Sequence, residues 1–356
     1  MLKILFILIS YNYRACDYGF KPGQAWVAVY DSAFIMYTEN EGLDWINIDP
    51  GTLWGFFDIF FIDSLKGWTG GIGGEIRHTE DGGFTWIRQR FGETKWISRL
   101  QFLDSLHGYA SAGDAIVCIT SDGGNEWQTI FTPFMGIDFY GIHFINTQIG
   151  FICSGLPDTF GIPQYVAKSI DGGITWDTIF EVNGYDLLDL WFFDENRGIV
   201  VGGSDDTISP VIFKTNDGGA SWIQINPPGY YLRAVHFVDE NKGWACGRFG
   251  TIIHTNDGGN TWILQNANNA KTLFDIDFLD SLHGIASGKD AIFFTNDGGN
   301  TWINVSVNEN FRKVKINYPS LGYFDITGRK LFIKNFKKGI YFLNSKEGNK
   351  KIIILK

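Results

Sequence analysis

The sequence contains few of the residues that serve metal, redox or membrane-spanning functions. Its 356 residues include four cysteines, six histidines, three methionines and nine prolines. No apolar run reaches the length of a transmembrane helix. The cysteine spacing does not indicate which cysteines pair, and the Gly-Gly pairs lie in predicted hairpins, whereas a phosphate-binding loop would place them before a helix. We therefore expect no metal site and no cofactor.

Basic residues are scarce outside the end of the chain. Residues 312–356 hold twelve Lys and Arg against Asp325 and Glu347, a net charge of +10. The whole chain carries −10, so the preceding residues carry −20. Nucleic-acid phosphates are bound by basic patches, so this acidic body argues against a nucleic-acid partner. The basic segment, residues 311–356, is predicted to be a separate C-terminal β segment.

Seven copies of one short phrase run through the acidic body. Six of them contain Asp-Gly-Gly, as in HTNDGGNTW (254–262), and the first has ENEG in its place. An Asp that caps a turn and two glycines at positive φ are typical of a hairpin. All seven phrases end in tryptophan: Trp45, Trp86, Trp127, Trp176, Trp222, Trp262 and Trp302. The steps between these tryptophans are 41, 41, 49, 46, 40 and 40 residues, which indicates a repeated supersecondary unit.

A second phrase alternates with the first and completes the unit, as in FVDENKGW (237–244). An alternating apolar stretch before it predicts a half-buried strand, and two further strands lead into the Asp turn. Each period therefore holds four strands, A to D. Four-stranded units repeated radially form a β-propeller, so the sequence predicts an all-β fold with seven blades over residues 19–310.

The first repeat lacks a clear strand A. Three stretches predict its other strands, B, C and D: Trp26–Tyr30, Phe34–Thr38 and Asp44–Ile48. Because the ring must close, strand A comes either from Ser10–Tyr18 or from the segment after Trp302. We favour the C-terminal source, around Arg312–Tyr318.

The Asp and Trp of each turn are predicted to be structural. Burial of a Trp side chain removes roughly 150–250 Å² of surface from water. The resulting stabilisation is at most about 4–6 kcal/mol. The predicted anchors are Asp81, Trp86, Asp122, Trp127, Asp171, Trp176, Asp217, Trp222, Asp257, Trp262, Asp297 and Trp302.

The chain begins with a weak outline of a secretory signal. Met1–Ile9 has a lysine followed by a short apolar run, so residues 1–18 are predicted to be a signal-like N-terminus and the protein to be secreted or on the cell surface. The alternative is that these residues form a strand of the first blade.

Both parts of the chain resemble known families. The propeller resembles the Asp-box (bacterial neuraminidase repeat) group, and within it the photosystem II stability and assembly factor type, through GWACGRFGTIIHTNDGGNTW (243–262). The basic segment resembles the C-terminal sorting domain of type IX secretion at Phe324–Leu331, Lys338–Tyr341 and Lys350–Lys356. These resemblances imply an interaction scaffold outside the cytoplasm, and for the tail an interaction with the secretion machinery.

The predicted fold indicates which face binds a partner. The Asp turns join strands C and D and share one face with the A–B turns. The opposite face carries the D–A and B–C loops, varies from blade to blade, and is expected to bind a protein or glycan. Its candidate residues are Arg99, Arg233, Arg248, Trp96, Tyr140, Tyr231, Asp58, Asp189 and Asp275.

Glycoside hydrolysis is the alternative function. It needs two carboxylates roughly 5–9.5 Å apart, and Asp58, Asp189 and Asp275 share one position of strand A. Blades two, five and seven are not neighbours, however, so we do not expect this trio to converge. The early Arg-Ile-Pro signature of sialidases is also absent. We favour a non-catalytic protein.

Overall fold

Seven four-stranded antiparallel sheets follow one another along the chain and form the blades of a propeller. The computed structural model describes residues 11–90, 92, 95–134, 136–155, 162–204, 206–266 and 271–305, and the backbone of four short strands nearer the C-terminus. In each blade strand A is innermost and packs against strand A of the neighbouring blades, around a central channel. The predicted all-β, seven-bladed fold is confirmed.

The first four blades comprise sixteen strands. Blade 1 has β1 (Tyr13–Tyr18), β2 (Ala25–Val29), β3 (Phe34–Thr38) and β4 (Ile46–Ile48). Blade 2 has β5 (Phe56–Phe61), β6 (Gly67–Gly71), β7 (Ile76–Thr79) and β8 (Ile87–Arg90). Blade 3 has β9 (Ile97–Phe102), β10 (Gly108–Ala112), β11 (Ile116–Thr120) and β12 (Gln128–Phe131). Blade 4 has β13 (Phe139–Phe144), β14 (Gly150–Ser154), β15 (Gln164–Ser169) and β16 (Asp177–Val182).

The last three blades comprise twelve strands and one short 3₁₀ turn. Blade 5 has β17 (Asp186–Phe192), β18 (Gly198–Ser204), β19 (Ser209–Thr215) and β20 (Ile223–Ile225). Blade 6 has β21 (Leu232–Phe237), β22 (Gly243–Gly247), the 3₁₀ turn Arg248–Gly250, β23 (Thr251–Thr255) and β24 (Ile263–Asn266). Blade 7 has β25 (Leu273–Phe278), β26 (Gly284–Gly288), β27 (Ala291–Thr295) and β28 (Ile303–Asn304).

Strand A of blade 1 comes from the N-terminal side of the chain. It is β1, which pairs with β2, so the prediction that Arg312–Tyr318 supplies this strand is wrong. The predicted stretch 312–318 itself lies outside the described residues. The signal-like segment predicted for residues 1–18 therefore overlaps the propeller, which includes residues 13–18.

Hydrogen bonds between blade 7 and blade 1 close the ring. Two aspartates of β25 accept backbone N–H groups of β1: Cys16 N lies 3.0 Å from Asp275 Oδ2, and Tyr18 N lies 2.6 Å from Asp277 Oδ2. An isolated bridge between Asn12 and Lys289 adds a backbone contact. The described residues thus close the ring without exchanging a strand between the two ends of the chain.

A repeated hydrogen-bond set forms the Asp turn of each later blade. In blade 2, the Thr79 hydroxyl donates to Asp81 Oδ1 (2.9 Å) and accepts the N–H of Gly83 (2.9 Å). The other end of the turn is held because Asp81 Oδ1 accepts the N–H of Thr85 at 2.8 Å. The same set recurs around Asp122, Asp171, Asp217, Asp257 and Asp297. Each Asp is therefore engaged within its own turn.

Blade 1 forms the same turn without the aspartate. The Thr38 hydroxyl donates to Asn40 Oδ1 at 3.0 Å, and this oxygen accepts the N–H of Asp44 at 2.9 Å. An amide oxygen can replace the carboxylate because the turn needs an acceptor rather than a charge.

The Asp turns and the A–B turns lie on one face. In blade 2 the N–H of Gly82, in the Asp turn, donates to the carbonyl of Leu65, in the A–B turn, at 2.8 Å. Equivalent bonds link the two turns in the next five blades, with donors Gly123, Gly172, Gly218, Gly258 and Gly298. We call this surface the Asp-turn face and the opposite surface the mouth face.

A phenylalanine at the end of strand A connects neighbouring blades. Phe102 stacks at 3.6 Å on Trp68 of the preceding blade and meets Trp127 of its own Asp turn edge-on at 5.8 Å. A Cβ on Gly108 would lie 2.4 Å from the Phe102 ring, so only glycine fits there. The arrangement recurs around Phe61, Phe144, Phe192 and Phe278. This packing explains why the second phrase begins with a Phe and ends with a Gly-aromatic pair.

The turn tryptophans are buried to different degrees. Trp86, Trp176 and Trp262 are buried in the core, whereas Trp45, Trp127, Trp222 and Trp302 are partly buried. All four cysteines are buried in strands of the blades.

The chain divides into two compact units, Met1–Asn310 and Phe311–Lys356. Within the second unit, β29 (Tyr323–Phe324) pairs with β30 (Lys330–Leu331), and β31 (Gly339–Asn344) pairs with β32 (Lys350–Leu355). The side chains of the predicted sorting motifs lie outside the described residues. No helix in the described part of the chain is long and apolar enough to cross a membrane.

Candidate functional site

Seven bulges bring one residue of every strand A to the mouth of the channel. In each blade the pairing of strands A and B shifts by one residue at the same place, as between Phe56 and Asp58 of blade 2. A bulge leaves the extra residue unpaired and redirects its side chain. The seven bulge residues, here called the mouth column, are Arg14, Phe57, Ser98, Tyr140, Leu188, Arg233 and Phe274.

The next residue of each strand forms the middle column, where one arginine contacts three carboxylates. Arg99 Nη2 lies 2.9 Å from Asp189 Oδ2, and its Nη1 lies 2.9 Å from Asp275 Oδ1 and 3.3 Å from Asp58 Oδ1. The three aspartates are 3–6% exposed. The expectation that this trio does not converge is wrong, because the Arg99 side chain reaches from blade 3 to blades 2, 5 and 7.

Each of these aspartates also accepts a backbone N–H from strand A of the next blade. Asp58 binds the N–H of Leu100 at 2.5 Å, and Asp189 binds that of Val235 at 3.0 Å. Asp275 does the same across the ring closure. Each carboxylate therefore has two roles: it forms an ion pair with Arg99, and it links its own blade to the next one.

The charges of this cluster do not balance, since one guanidinium faces three carboxyl groups. Burial, which the attraction of Arg99 only partly offsets, raises the pKa of Asp58 to about 7. Burial also raises the pKa of Asp275. Burial by itself would lower the pKa of Arg99, but the three carboxylates outweigh it and raise that pKa. The cluster therefore holds a proton near neutral pH in addition to the charge on Arg99.

A lower column, two residues further along strand A, links blades on the Asp-turn side of the cluster. Asp17 accepts the N–H of Phe61 at 2.8 Å, and His143 Nδ1 accepts that of Phe192 at 2.8 Å. Burial, and then repulsion from His236, lower the pKa of His143 to about 4. This histidine is therefore a neutral acceptor at physiological pH.

A pocket of about 350 Å³ occupies the mouth of the channel. Three arginines and five aromatic residues line it, and no carboxylate is among its described lining residues. They are Arg14, Arg99 and Arg233, with Tyr30, Phe57, Trp96, Tyr140 and Phe274. Four candidates predicted from the sequence, Arg99, Arg233, Trp96 and Tyr140, thus come together here, whereas Arg14 was missed.

Arg14 lies between two aromatic rings of the mouth column. Its guanidinium carbon is 5.1 Å from the centroid of Phe57 and 4.6 Å from that of Phe274. In the described part of the chain it forms no hydrogen bond or ion pair. Burial, and then repulsion from Arg233, lower the pKa of Arg14 to about 10. It therefore stays charged, with no anionic partner among the residues that the structure describes.

The rim of the pocket on blade 6 differs from the sequence prediction. Tyr231 is 1% exposed, and its hydroxyl donates to Asp186 at 2.5 Å, so it is a core residue and not part of the surface. Arg248 stacks over its ring at 4.4 Å. The exposed aromatic residues are Tyr230 and Phe249, which meet edge-on at 5.1 Å.

Phe249 has a backbone conformation that phenylalanine rarely adopts. Its φ is +55°. The same position of the turn is occupied by Gly73 in blade 2 and by Asp290 in blade 7, which also have positive φ. The side chain is nevertheless 48% exposed. Strain at an exposed aromatic residue is more typical of a recognition surface than of a folding requirement.

A rigid loop places a second apolar tip on the mouth face between blades 1 and 2. The buried pair of Arg77 Nε and Glu75 Oε1 is 2.6 Å apart, and Arg77 also donates to the carbonyl of Pro50 at 2.5 Å. These contacts fix the loop that carries Leu53, 97% exposed, and Trp54, 46% exposed. These contacts hold the apolar tip in place.

Two grooves on the Asp-turn face have larger volumes than the mouth pocket. They measure about 500 and 630 Å³ and lie between neighbouring blades, and repeated turn residues such as Asp122, Asp171 and Asp297 line them. Those aspartates are used within their own turns. No group of three or more His, Cys, Asp or Glu in the described residues is arranged to hold a metal ion.

Comparison with known proteins relates part of the chain to a propeller family. A family model described as photosynthesis system II assembly factor YCF48 matches residues 174–269, from the Asp turn of blade 4 to the end of blade 6. A search among curated proteins found no significant match.

Solved structures of several functions share the fold. YCF48 bound to a D1 peptide is 15% identical, covers 81% of this chain and 93% of its own, and superposes with a TM-score of 0.63. YCF48 from Cyanidioschyzon merolae is 15% identical over 82% of this chain and 96% of its own, at 0.62. The GH74 enzyme of Niastella koreensis is 16% identical, at 0.64, and covers 82% of this chain. This chain spans about half of that enzyme, 53% of its length. At these identities the likeness shows the fold alone.

Proposed function

We propose that this chain is a non-catalytic propeller scaffold, located outside the cytoplasm, that binds a protein partner through its mouth face. The observation that carries the proposal is the mouth pocket, which combines three arginines with five aromatic residues and no described carboxylate. Arginine and aromatic residues are enriched at the energetic centres of protein interfaces. The similar propeller YCF48 has been solved with a peptide, which favours a protein over a glycan as the partner.

The difference between the two faces supports this choice of surface. The Asp-turn face repeats one hydrogen-bond set from blade to blade, because every blade needs it to fold. The mouth column varies from Arg14 to Phe57, Ser98 and Leu188, and such variation is what an asymmetric partner requires.

Glycoside hydrolysis finds no support in the middle column. A glycosidase needs one carboxyl group to protonate the leaving group and a second to act as nucleophile or base, both in contact with the sugar. Here Asp58, Asp189 and Asp275 are buried and bind Arg99 and backbone N–H groups. A panel of fluorogenic glycosides, including a sialoside, is expected to show no turnover. Turnover that Asp58→Asn or Asp275→Asn abolishes would contradict the proposal.

Export through the C-terminal segment is the second part of the proposal. The support is the net charge of +10 over residues 312–356 and the sorting-domain motifs at Phe324–Leu331, Lys338–Tyr341 and Lys350–Lys356. The Asp-box assignment of the repeat and the outline of a signal at Met1–Ile9 agree with such a location.

Affinity capture of envelope proteins by the full chain, followed by variants on both faces, tests the proposal. Tyr230→Ala and Arg233→Glu are expected to weaken binding of the captured partner at least tenfold while the chain stays folded, since substitution of a residue at the energetic centre of an interface costs about 2 kcal/mol or more. Asn256→Lys, on the Asp-turn face, is the matched control and should bind normally. Binding that is lost in Asn256→Lys and kept in the other two would place the interface on the wrong face.

A further inference from the structure

Two layers of arginine lie one above the other at the mouth of the channel, and their surroundings differ. In the middle column Arg99 binds three carboxylates. In the mouth column Arg14 lies over the faces of Phe57 and Phe274 and, among the described residues, contacts no carboxylate. Arg99 also lines the mouth pocket, so the two layers meet at its floor.

The mouth pocket has the chemistry of a carboxylate site. Arg14 and Arg233 line one cavity and repel each other, and its described lining holds no acidic side chain. A guanidinium is planar and binds a carboxylate through two parallel hydrogen bonds. Aromatic walls on both sides of Arg14 suit the apolar part of a residue that carries such a group.

We propose that the mouth pocket binds a carboxylate of the protein partner, and that this binding is coupled to the uptake of a proton by the carboxyl groups around Arg99. The inference rests on the proposed function and adds the chemistry of the bound group and its pH dependence. It requires no reaction: the proton comes from solvent and converts one aspartate of the cluster to its neutral acid.

The coupling follows from the charges on the two layers. In the free protein, the positive charges of Arg14 and Arg233 help to keep the aspartates below them ionised. A bound carboxylate cancels that field and adds a negative charge to a cluster that already has three carboxyl groups for one guanidinium. Because the site is half-buried, these interactions are stronger than in water. Protonation of an aspartate then becomes more favourable, and by linkage the ligand binds more tightly to the protonated form.

Asp58 is the group expected to take up the proton. It contacts Arg99 directly, and burial raises its pKa to about 7, so it is partly ionised at neutral pH. The charged and titratable groups that the described surrounding elements bring near this cluster include Arg14, Cys16, Asp17, Tyr30, Arg99, Tyr140, His143, Cys153, Asp189, Arg233, His236, Cys246, Asp275 and Asp277. Among the histidines, His143 is a neutral acceptor and His236 pairs with Asp277 at 2.8 Å in the lower column, on the far side of Arg99 from the pocket.

Benzoate and benzamide form a matched pair of probes, since they share the ring and differ in the charged group. Titration of the full chain, followed by NMR, is expected to show saturable binding of benzoate and at least tenfold weaker binding of benzamide. Benzoate affinity is expected to fall about fivefold or more between pH 6 and pH 8, the lower end of typical coupling between sites. The probe stays ionised over this range, so the change reports the protein.

Three variants assign the effect to residues. Arg14→Gln is expected to weaken benzoate binding about tenfold, as for the loss of a charged hydrogen bond. Asp58→Asn is expected to make benzoate affinity independent of pH, whereas His236→Gln is expected to keep the dependence. If Asp58→Asn does not fold, the pH dependence of the wild-type protein remains the test.

Two results would overturn the inference. Equal binding of benzoate and benzamide, or no binding of benzoate, would exclude a carboxylate site. Benzoate affinity that is the same at pH 6 and pH 8 would exclude the coupling. Either result leaves the proposed function standing if Tyr230→Ala still weakens capture of the protein partner, so the two failures are distinguishable.

Discussion

At the scale of a single residue, Arg99 links blades at the centre of the ring that are not neighbours of one another. One extended side chain contacts carboxyl groups from blades 2, 5 and 7. Removing one member of a buried charged network usually costs more than the pair contributes, because the remaining charges lose their partners. The proton held by the cluster makes its stability depend on pH.

The variant Asp58→Asn is expected to remove part of that pH dependence. The pKa of Asp58 is about 7 in the folded protein and 3.8 as an ordinary aspartate, so the folded state binds the extra proton. This contribution to stability is fully present below about pH 4 and is lost as pH rises through 7. Relative to the variant, the wild-type protein should lose up to ~1.4 kcal/mol of unfolding free energy per pH unit in that window. Urea unfolding of both proteins from pH 4 to 8 measures this, and a constant difference would contradict it.

Trp262 is expected to be a stability anchor of blade 6. It is 7% exposed, meets Phe237 edge-on at 6.0 Å, and donates from its indole N–H to the carbonyl of Gly259 at 3.2 Å. Trp262→Ala should therefore lower the unfolding free energy by about 3–5 kcal/mol. Denaturant unfolding measures this change. A midpoint shift near zero would show that the ring adds nothing to the core.

At the scale of a structural element, the junction of strands A and B depends on a glycine that no other residue can replace. Gly108→Ala would place a methyl carbon 2.4 Å from the ring of Phe102. Overpacking of this kind typically costs about 1–3 kcal/mol. Gly184→Ala shows the cost of backbone strain alone, because it has a positive φ of 79° but open space, and should cost about 1–2 kcal/mol. A thermal midpoint of Gly108→Ala equal to that of the wild-type protein would contradict this account.

The repeated elements could be predicted from the sequence because each copy makes the same local bonds. The Asp turns, the position of strand A, and the face shared by the A–B and C–D turns follow from phrases that recur with one spacing. Blade 1 breaks the pattern: Asn40 stands in the Asp position, and β1 does not precede a copy of the second phrase. For that reason the sequence pattern predicts strand A of blade 1 at the wrong end of the chain and does not single out Arg14.

The candidate site could be predicted only in part. Sequence alignment of the strands placed Asp58, Asp189 and Asp275 in one column, but their meeting depends on how far the Arg99 side chain reaches across the channel. Tyr231 and Tyr230 are adjacent in sequence, and only packing decides that the first is buried and the second exposed. The bulge that turns the mouth column toward the channel has no residue signature common to the seven blades.

At the scale of the whole molecule, the ring closes through β1 and blade 7. A chain shortened to residues 1–310 is therefore expected to keep the thermal midpoint of the full chain, whereas a chain that lacks residues 1–18 should lose stability because blade 1 lacks its inner strand. If residues 311–356 serve export, the shortened chain should also stay inside the cell. Calorimetry and fractionation measure the two effects. A propeller that unfolds without residues 311–356 would contradict the closure described here.

The central claim is that the mouth face binds a protein partner, and hydrogen–deuterium exchange of the full chain with and without the captured partner tests it most directly. Binding is expected to slow exchange of backbone amides in the loop around Leu53 and Trp54 and in the turn Arg248–Gly250, with the Asp turns unchanged. Protection confined to the Asp turns, such as residues 256–261, would contradict the account.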